Sequence, residues 1–408
     1  MANRDRILIA GGGPVGLVCA YALASKGIPV TVFDENDELQ KDPRAATTHP
    51  ATLELLDQLG VIRDVTEQGL VCPTFRFWDR PTGELVAEFD HSLLRDDTRF
   101  PYVVQCEQFK LARILVERMK DLPECELMFS NKVTAVKHDK DSATVTVETP
   151  HGPERHTGSY LIGCDGGRSQ VRKQLGIDFQ GFTYPDRFLV LTTPFDFESH
   201  RGMCFRNYVA DPDEWCNCFK VAADGPPGLW RVVFPVDPEA SESDLLTDKF
   251  VQAKMHKFFP RGKEYDLVHR NLYTVSQRVA ATFRRGRVLL AGDACHLNNS
   301  IGGLGLNGGI QDAMNLCQKL TRVWQSAAPD TELDLYDLQR RTFAVEFVQK
   351  QTIQNKKLLE ARDPEQRKKY LDDLRATAAD PEKARQFMLG TSMLTAMRQA
   401  ENMRLPSG

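Results

Sequence analysis

A near-continuous apolar run from Ile7 to Ala24 is broken at its centre by Gly11, Gly12, Gly13, Pro14 and Gly16. Arg4 and Arg6 precede the run, and Ala22-Leu23-Ala24 resembles a leader-peptide cleavage site. Glycines and a proline in mid-run suit neither a secretory leader nor a membrane-spanning helix. The pattern predicts a buried strand over 6–10, a turn over 11–16 and a helix over 17–25. Gly27 stops that helix, and a second strand follows over 28–33. Gly11-x-Gly13-x-x-Gly16 therefore sits where a strand becomes a helix. Asp34 ends the second strand, 18 residues beyond Gly16. This is a βαβ unit built to hold a dinucleotide. Gly11 permits the tight turn, Gly13 admits a pyrophosphate close to the backbone, and Gly16 lets helix and strand pack. The helix start offers unpaired N–H groups to phosphate, and Asp34 can accept from ribose hydroxyls. The motif leaves NAD and FAD both open, while the acid disfavours a 2′-phosphate.

A second match, Gly303-x-Gly305-x-x-Gly308, lies about a dozen residues beyond the strand predicted over 287–291. No βαβ unit follows it. The expectation is a glycine-rich loop running to Gly309, then a helix from about Ile310 to Trp324. Two further strand-to-turn junctions stand out. Tyr160–Cys164 reads as a buried strand followed by Asp165-Gly166-Gly167-Arg168-Ser169 and Arg172. The strand over 287–291 runs into Gly292-Asp293-Ala294-Cys295-His296.

Together these elements resemble the group A flavoprotein monooxygenases, the family of para-hydroxybenzoate hydroxylase. The N-terminal turn, the Asp-Gly stretch at Asp165 and the Gly-Asp stretch at Asp293 match in order and spacing. Arg44 within Pro43-Arg44-Ala45, a helix over 52–59 closed by Gly60, and Gln105 at a strand end add to the likeness. It spans about residues 6–325. The resemblance implies an FAD enzyme. Asp34 would bind the adenosine ribose, Arg44 the pyrophosphate region and Gln105 the ribityl or flavin edge. Asp165 and Arg168 are candidates for FAD or NAD(P)H pyrophosphate, and Asp293 for ribityl hydroxyls. Gly305 lets backbone approach the flavin, and N–H groups near Leu306 and Asn307 would stabilise negative charge on the reduced ring. Plainer readings stand beside these: Asp165 as a cap of the turn after it, Arg168 and Arg172 as surface arginines, and His296 as a packed structural residue rather than a base.

The fold class expected is α/β: a Rossmann-like FAD-binding domain with an inserted, mainly antiparallel β-sheet substrate domain and a C-terminal helical segment. The FAD-binding domain takes residues 1–72, 100–180 and 271–330, the substrate domain 73–99 and 181–270, and the helices 331–408. Strands over 188–193, 206–210, 215–221 and 229–235 belong to the substrate sheet, punctuated by Asp211-Pro212 and Gly225-Pro226-Pro227-Gly228. Arg206, Tyr208 and Trp215 are candidate pocket residues, although strand alternation turns about half of such positions away. Family members often carry Pro-Pro shortly after the Gly-Asp-Ala-x-His stretch. Here Asn299 and Ser300 stand there, bringing polarity near the reacting ring. The C-terminal helices could cover the FAD domain, form a homodimer surface, or both.

Lys plus Arg number 52 and Asp plus Glu 56, a net charge of −4, which gives no reason to expect nucleic acid or an anionic membrane. The 10 cysteines show no metal-ligand spacing and read as reduced thiols of a cytoplasmic protein. No metal and no stable membrane association are expected.

The activity implied by the resemblance is monooxygenation. NADPH or NADH would reduce FAD, O2 would form a flavin C4a-hydroperoxide, and a small aromatic or phenolic compound would be hydroxylated. The protein would orient the ring, exclude water and tune charge; no catalytic side chain is assigned. A flavin-dependent reductase or dehydrogenase, and a non-catalytic FAD-binding protein, remain alternatives. A halogenase is disfavoured because Trp215 is followed by Cys216 and Asn217 rather than by a Trp-x-Trp motif.

Overall fold

The computed structural model describes residues 6–41 and 45–405. The apolar runs read as buried strands form one sheet. Its order is Arg284–Arg285, Val288–Leu290, Tyr160–Gly163, Ile7–Ala10, Val30–Phe33 and Cys125–Met128. The five longer strands are parallel, with Ile7 in register with both Val30 and Tyr160. Both faces of this sheet are covered, so its strands are apolar without alternation.

The helix expected from Ile310 starts earlier, at Leu304, and runs to Trp324. Glycine is a poor helix former, which is why a loop was expected there. Packing overrides that propensity. A Cβ on Gly309 would sit 2.6 Å from Val15 Cγ2 and 3.2 Å from Gly292 Cα. The glycines let this helix lie directly on the first βα turn and on the Asp293 turn.

The second sheet has eight strands. Their order is His296–Leu297, His269–Ala280, Phe179–Thr193, Leu229–Val236, Cys216–Val221, Arg206–Ala210, Thr74–Asp79 and Glu84–Asp90. All pairs are antiparallel except Arg206–Ala210 with Thr74–Asp79. The domain boundary expected at 270/271 is corrected here. His269–Ala280 pairs along its length with Phe179–Thr193 and belongs to this sheet.

Strand alternation gives the eight-stranded sheet two faces. Val209, Cys216, Cys218, Trp230, Val232 and Phe234 pack with Val251, Met255 and Phe258 of the helix Asp248–Phe258. Phe75, Phe77, Tyr208, Phe219 and Val233 face the other way and join the core shared with the parallel-sheet domain.

A small sheet of Thr47–Thr48, Val103–Gln105 and Leu70–Cys72 lies between the two large ones. At the C-terminus, Glu332–Thr342 continues through a π-helical segment, Phe343–Gln349, into Lys350–Leu359. Phe387, on the helix Pro381–Thr391, packs 4.7 Å from Phe89, so the tail covers the substrate sheet as well as the nucleotide domain. Among the described residues no helix is long and apolar enough to cross a membrane.

Candidate active site

The first βα turn is held by contacts that leave room only for glycine. Gly11 has a φ of +103°, and a Cβ there would lie 2.4 Å from the Cys164 carbonyl oxygen. A Cβ on Gly16 would lie 1.9 Å from the Gly11 carbonyl oxygen. Gly13 caps the helix Pro14–Ala24 in an extended conformation, with no side chain bonded to its first turn. A Cβ on Gly13 would meet nothing within 4 Å, so the approach to those N–H groups is clear. Asp34 braces the turn: Oδ2 accepts from Gly12 N at 2.6 Å, and Oδ1 accepts from Asn36 N at 2.9 Å and Asn36 Nδ2 at 2.7 Å.

Asp165 serves the turn after it. Its carboxylate accepts from Ser169 Oγ at 2.5 Å and Val171 N at 3.0 Å, and burial pushes its carboxyl up despite these bonds. The capping reading describes this geometry. Arg168 is exposed. Arg172 is buried; it donates to the carbonyls of Ala294 at 2.9 Å and Gly167 at 2.8 Å and lies 3.7 Å over the Phe179 ring. It thus clamps the Asp165 stretch to the Asp293 stretch. Arg44 lies outside the described residues.

Asp293 is exposed on a short turn, Gly292–Ala294, whose neighbours are buried. Its removal should cost cofactor binding much. Asp293→Ala is expected to weaken FAD binding roughly 10- to 100-fold while the apoprotein stays folded. Equilibrium dialysis showing full FAD occupancy in this variant would contradict the assignment.

Behind that turn is a buried cluster that sequence reasoning missed. Asp312 is 0% exposed; its Oδ2 lies 2.7 Å from His296 Nε2 and accepts from Gly292 N at 3.1 Å. Its Oδ1 accepts from Arg340 Nε at 2.7 Å. His296 is therefore the packed, hydrogen-bonded residue that the sequence favoured.

Between the two domains the glycine loop, the small sheet and the substrate sheet converge. Asn307 Oδ1 accepts from His49 N at 2.9 Å, and Asn307 Nδ2 donates to Thr47 O at 2.8 Å and Gly303 O at 2.7 Å. Leu306 lies in the first turn of Leu304–Trp324, where N–H groups lack helical partners. A Cβ on Gly305 would meet only Asn298 Oδ1, at 3.6 Å. Gln105 Oε1 accepts from Thr47 Oγ1 at 3.0 Å, but its fully buried Nε2 has no acceptor among the described residues.

His49 Nε2 lies 2.7 Å from Gly302 O. Burial, reinforced by the Arg206 charge, holds His49 well below 6.5 and lowers His91 to about 4. Both are neutral in the folded protein at pH 7, while the unfolded chain takes up their protons below 6.5. Stability should therefore be full above about pH 6.5 and fall as pH drops toward 4, by up to about 1.4 kcal/mol per pH unit for each histidine. Urea titrations between pH 7.5 and 4.5 check this, and His91→Phe should flatten the slope.

Tyr208 and Trp215 both lie in the core between the eight-stranded sheet and the parallel sheet. Tyr208 stacks on Phe77 at 5.1 Å. Trp215 packs edge-on against Phe188 at 5.2 Å, Phe188 meets Tyr273 at 5.7 Å, and Tyr273 Oη lies 2.8 Å from Ser300 Oγ. Asn217, unnoticed in the sequence, is buried on the same face, and its Oδ1 has no donor among the described residues. Asn299 departs from expectation. Its Nδ2 donates to Thr352 O at 2.9 Å and its Oδ1 accepts from Ile301 N at 3.1 Å. It pins the loop to the C-terminal helices, whereas Ser300 beside it is exposed.

The donor set fits an extended flavin dinucleotide. An uncapped helix start with clear access and an exposed carboxylate at Asp293 follow the carboxyl ends of two parallel strands, and Gln105 adds a buried amide donor from the small sheet.

Comparison with known proteins agrees. A family model described as "FAD binding domain" matches residues 4–351. Para-nitrophenol 4-monooxygenase of Pseudomonas sp. (strain WBC-3) is 35% identical over 98% of this chain and 98% of its own length. 6-Hydroxy-3-succinoylpyridine 3-monooxygenase of Pseudomonas putida (strain DSM 28022 / S16) is 32% identical over 94% of this chain and 97% of its own. The crystal structure of p-nitrophenol 4-monooxygenase from Pseudomonas putida DLL-E4 superposes with a TM-score of 0.91 at 32% identity, covering 97% of this chain and 99% of that one.

Proposed function

The chain belongs to the FAD-binding-domain family of group A flavin-dependent aromatic monooxygenases, and from that premise we propose that it hydroxylates a small phenol at the expense of NADPH or NADH and O2. The observation that supports the phenol is the aromatic character of the inner sheet face, where Tyr208 stacks on Phe77, and Trp215, Phe188 and Tyr273 follow one another edge-on to the Ser300 hydroxyl. Aromatic walls hold a flat ring by stacked and edge contacts, and few polar groups orient it. The ten cysteines are all free thiols, which supports a cytoplasmic setting.

Bound FAD supplies the electron transfer and the oxygen activation. The chain's own groups do the rest. Gly11, whose N–H is bonded to Phe33 O, would shape the turn, Gly13 and the helix start that packs through Gly16 would offer backbone N–H groups to the pyrophosphate, and Asp34 would meet the adenosine ribose beside the turn it braces. Asp293 would hold the ribityl hydroxyls, and Gln105 the ribityl chain or the flavin edge. Arg44, outside the described residues, would serve the pyrophosphate region, and Asp165 shapes the turn that Arg172 clamps. Gly305 would let backbone approach the flavin, and the helix start near Leu306 and Asn307 would offer partial positive charge to the reduced ring. The C-terminal helices close the substrate sheet from outside and keep water from the reacting ring.

The purified protein should show an oxidised-flavin spectrum that denaturation converts to that of free FAD. Phenols should then stimulate NADH or NADPH oxidation. A colourless protein that takes up no added FAD would return the N-terminal turn to a nicotinamide-binding role.

A further inference from the structure

We propose that a cavity between the π-helical segment and the helices Pro381–Thr391 and Leu394–Glu401 is the port by which the aromatic substrate enters, and that Leu304 is its gate. The proposal rests on the monooxygenase reading above. The cavity holds about 430 Å³, at the low end of the range that takes small organic ligands. Its rim is exposed and polar, at Glu346, Lys350 and Gln354. Glu346 and Lys350 pair with each other, so they give the mouth no net charge. Its floor is buried and apolar, at Leu304, Phe343, Met393 and Ala396. Phe343 and Phe347 lie side by side along one wall, ring centroids 6.1 Å apart. Rings and a thioether are the surfaces that receive an aromatic guest.

The floor adjoins the site already described. Leu304 opens the helix Leu304–Trp324, two residues before Leu306. Gly302 stands between the two spaces. On one side, a Cβ at Gly302 would lie 3.7 Å from Leu304 Cγ and 3.1 Å from Asn355 Nδ2. On the other, its carbonyl oxygen lies 2.7 Å from His49 Nε2 and accepts from Arg206, on the inner sheet face, at 3.4 Å. Gly302 and Gly303 have φ values of +98° and +71°. The wall there is bare glycine backbone and one leucine side chain, and a leucine swings between staggered rotamers.

The outer wall carries two irregular stretches. Phe343–Gln349 winds as a π-helix between two α-helical stretches, a rare form that frequently marks functional sites. Met393 is held in the left-handed region at a φ of +63°, where a non-glycine residue is strained. Both stretches line the same cavity.

The test mixes the FAD-loaded enzyme with para-cresol or para-hydroxybenzoate in a stopped-flow cell and follows perturbation of the flavin spectrum. A port changes how fast a ligand enters and leaves, not how tightly the site holds it. Ala396→Trp, which fills the floor, should slow association and dissociation equally, each by at least about tenfold, with the dissociation constant within about twofold of the parent. Gly390→Trp narrows the mouth; a Cβ there would meet nothing within 4 Å, so this variant covers the case in which Ala396→Trp does not fold. Both should keep the parent's flavin content. Leu304→Ala should speed both steps. Unchanged association rates in both tryptophan variants would overturn the proposal and leave the monooxygenase reading standing. Slower association with an unchanged dissociation rate would do the same, marking a disturbed site rather than a blocked route. No spectral response and no stimulated NAD(P)H oxidation with any phenol would overturn both.

Discussion

Replacing Gly16 with alanine is expected to abolish FAD retention and to destabilise the protein by about 3 kcal/mol or more. The new methyl carbon would sit 1.9 Å from the Gly11 carbonyl oxygen, and its next neighbours are the Gly11 carbonyl carbon and Cys164 Cβ. None of these is the mobile end of a long side chain. The Gly11 carbonyl belongs to the very turn that presents N–H groups to phosphate, and Gly11 itself is pressed against the Cys164 carbonyl. The helix Pro14–Ala24 must therefore tilt away from the sheet, carrying the pyrophosphate donors with it. Gly13→Ala provides the comparison. Its Cβ meets no protein atom within 4 Å, so it should leave the apoprotein's stability nearly intact and weaken only cofactor binding. Flavin content after desalting, together with thermal melts of both apoproteins, separates the two effects. Wild-type flavin content in Gly16→Ala would show that the turn does not hold the cofactor as described.

Asp312→Ala is expected to cost about 3–5 kcal/mol, the range for removing one partner of a buried ionic network. The carboxylate joins three segments remote in sequence: the Asp293 turn through Gly292 N and His296, its own helix, and the C-terminal helix through Arg340. Without it Arg340 is left as a buried cation, with a bond at 3.2 Å to Gly308 O and the Phe343 ring 4.0 Å away. Burial alone would raise the Asp312 carboxyl, but His296 and Arg340 outweigh it and hold it below 3.8. The sign follows from the proton balance. The unfolded chain binds the proton first, so the stabilisation is complete above about pH 4 and is lost as pH falls through the lower folded value. Asp312→Asn, which keeps the shape, should lose less than the alanine variant. Denaturant midpoints at pH 7 check the order. An alanine variant as stable as the parent would mean that the network is not what ties the tail to the nucleotide domain.

The parts of this molecule that sequence reveals are those whose cause is local. The turn at Gly11–Gly16 is legible because its glycine spacing, its strand and Asp34 lie within one βαβ unit. The substrate strands at 206–210, 216–221 and 229–236 are legible because turn residues bracket each of them. Long-range causes are not legible. Gly305, Gly308 and Gly309 argue for a loop on propensity, and the close packing of Gly309 on Val15 and Gly292 and of Gly308 on His296 favours the helix instead. The boundary expected at 270/271 cuts the strand His269–Ala280. Its pairing with Phe179–Thr193 lies some 90 residues away in sequence. Asp312 and Arg340 look like ordinary charges of amphipathic helices, and no local pattern pairs them. Asn299 shows the converse error: position in the chain put it beside the substrate, but its amide is turned to Thr352.

The central claim is that this chain inserts an oxygen atom from O2 into an aromatic ring. Turnover of a stimulating phenol with NAD(P)H under heavy-isotope O2, followed by mass spectrometry of the product, tests it directly. The account predicts one labelled oxygen atom per hydroxylated product and none when the label is in water. NAD(P)H oxidation that yields only hydrogen peroxide, or a product with no label, for every phenol that stimulates it would contradict the account and leave a flavin-dependent reductase or oxidase in its place.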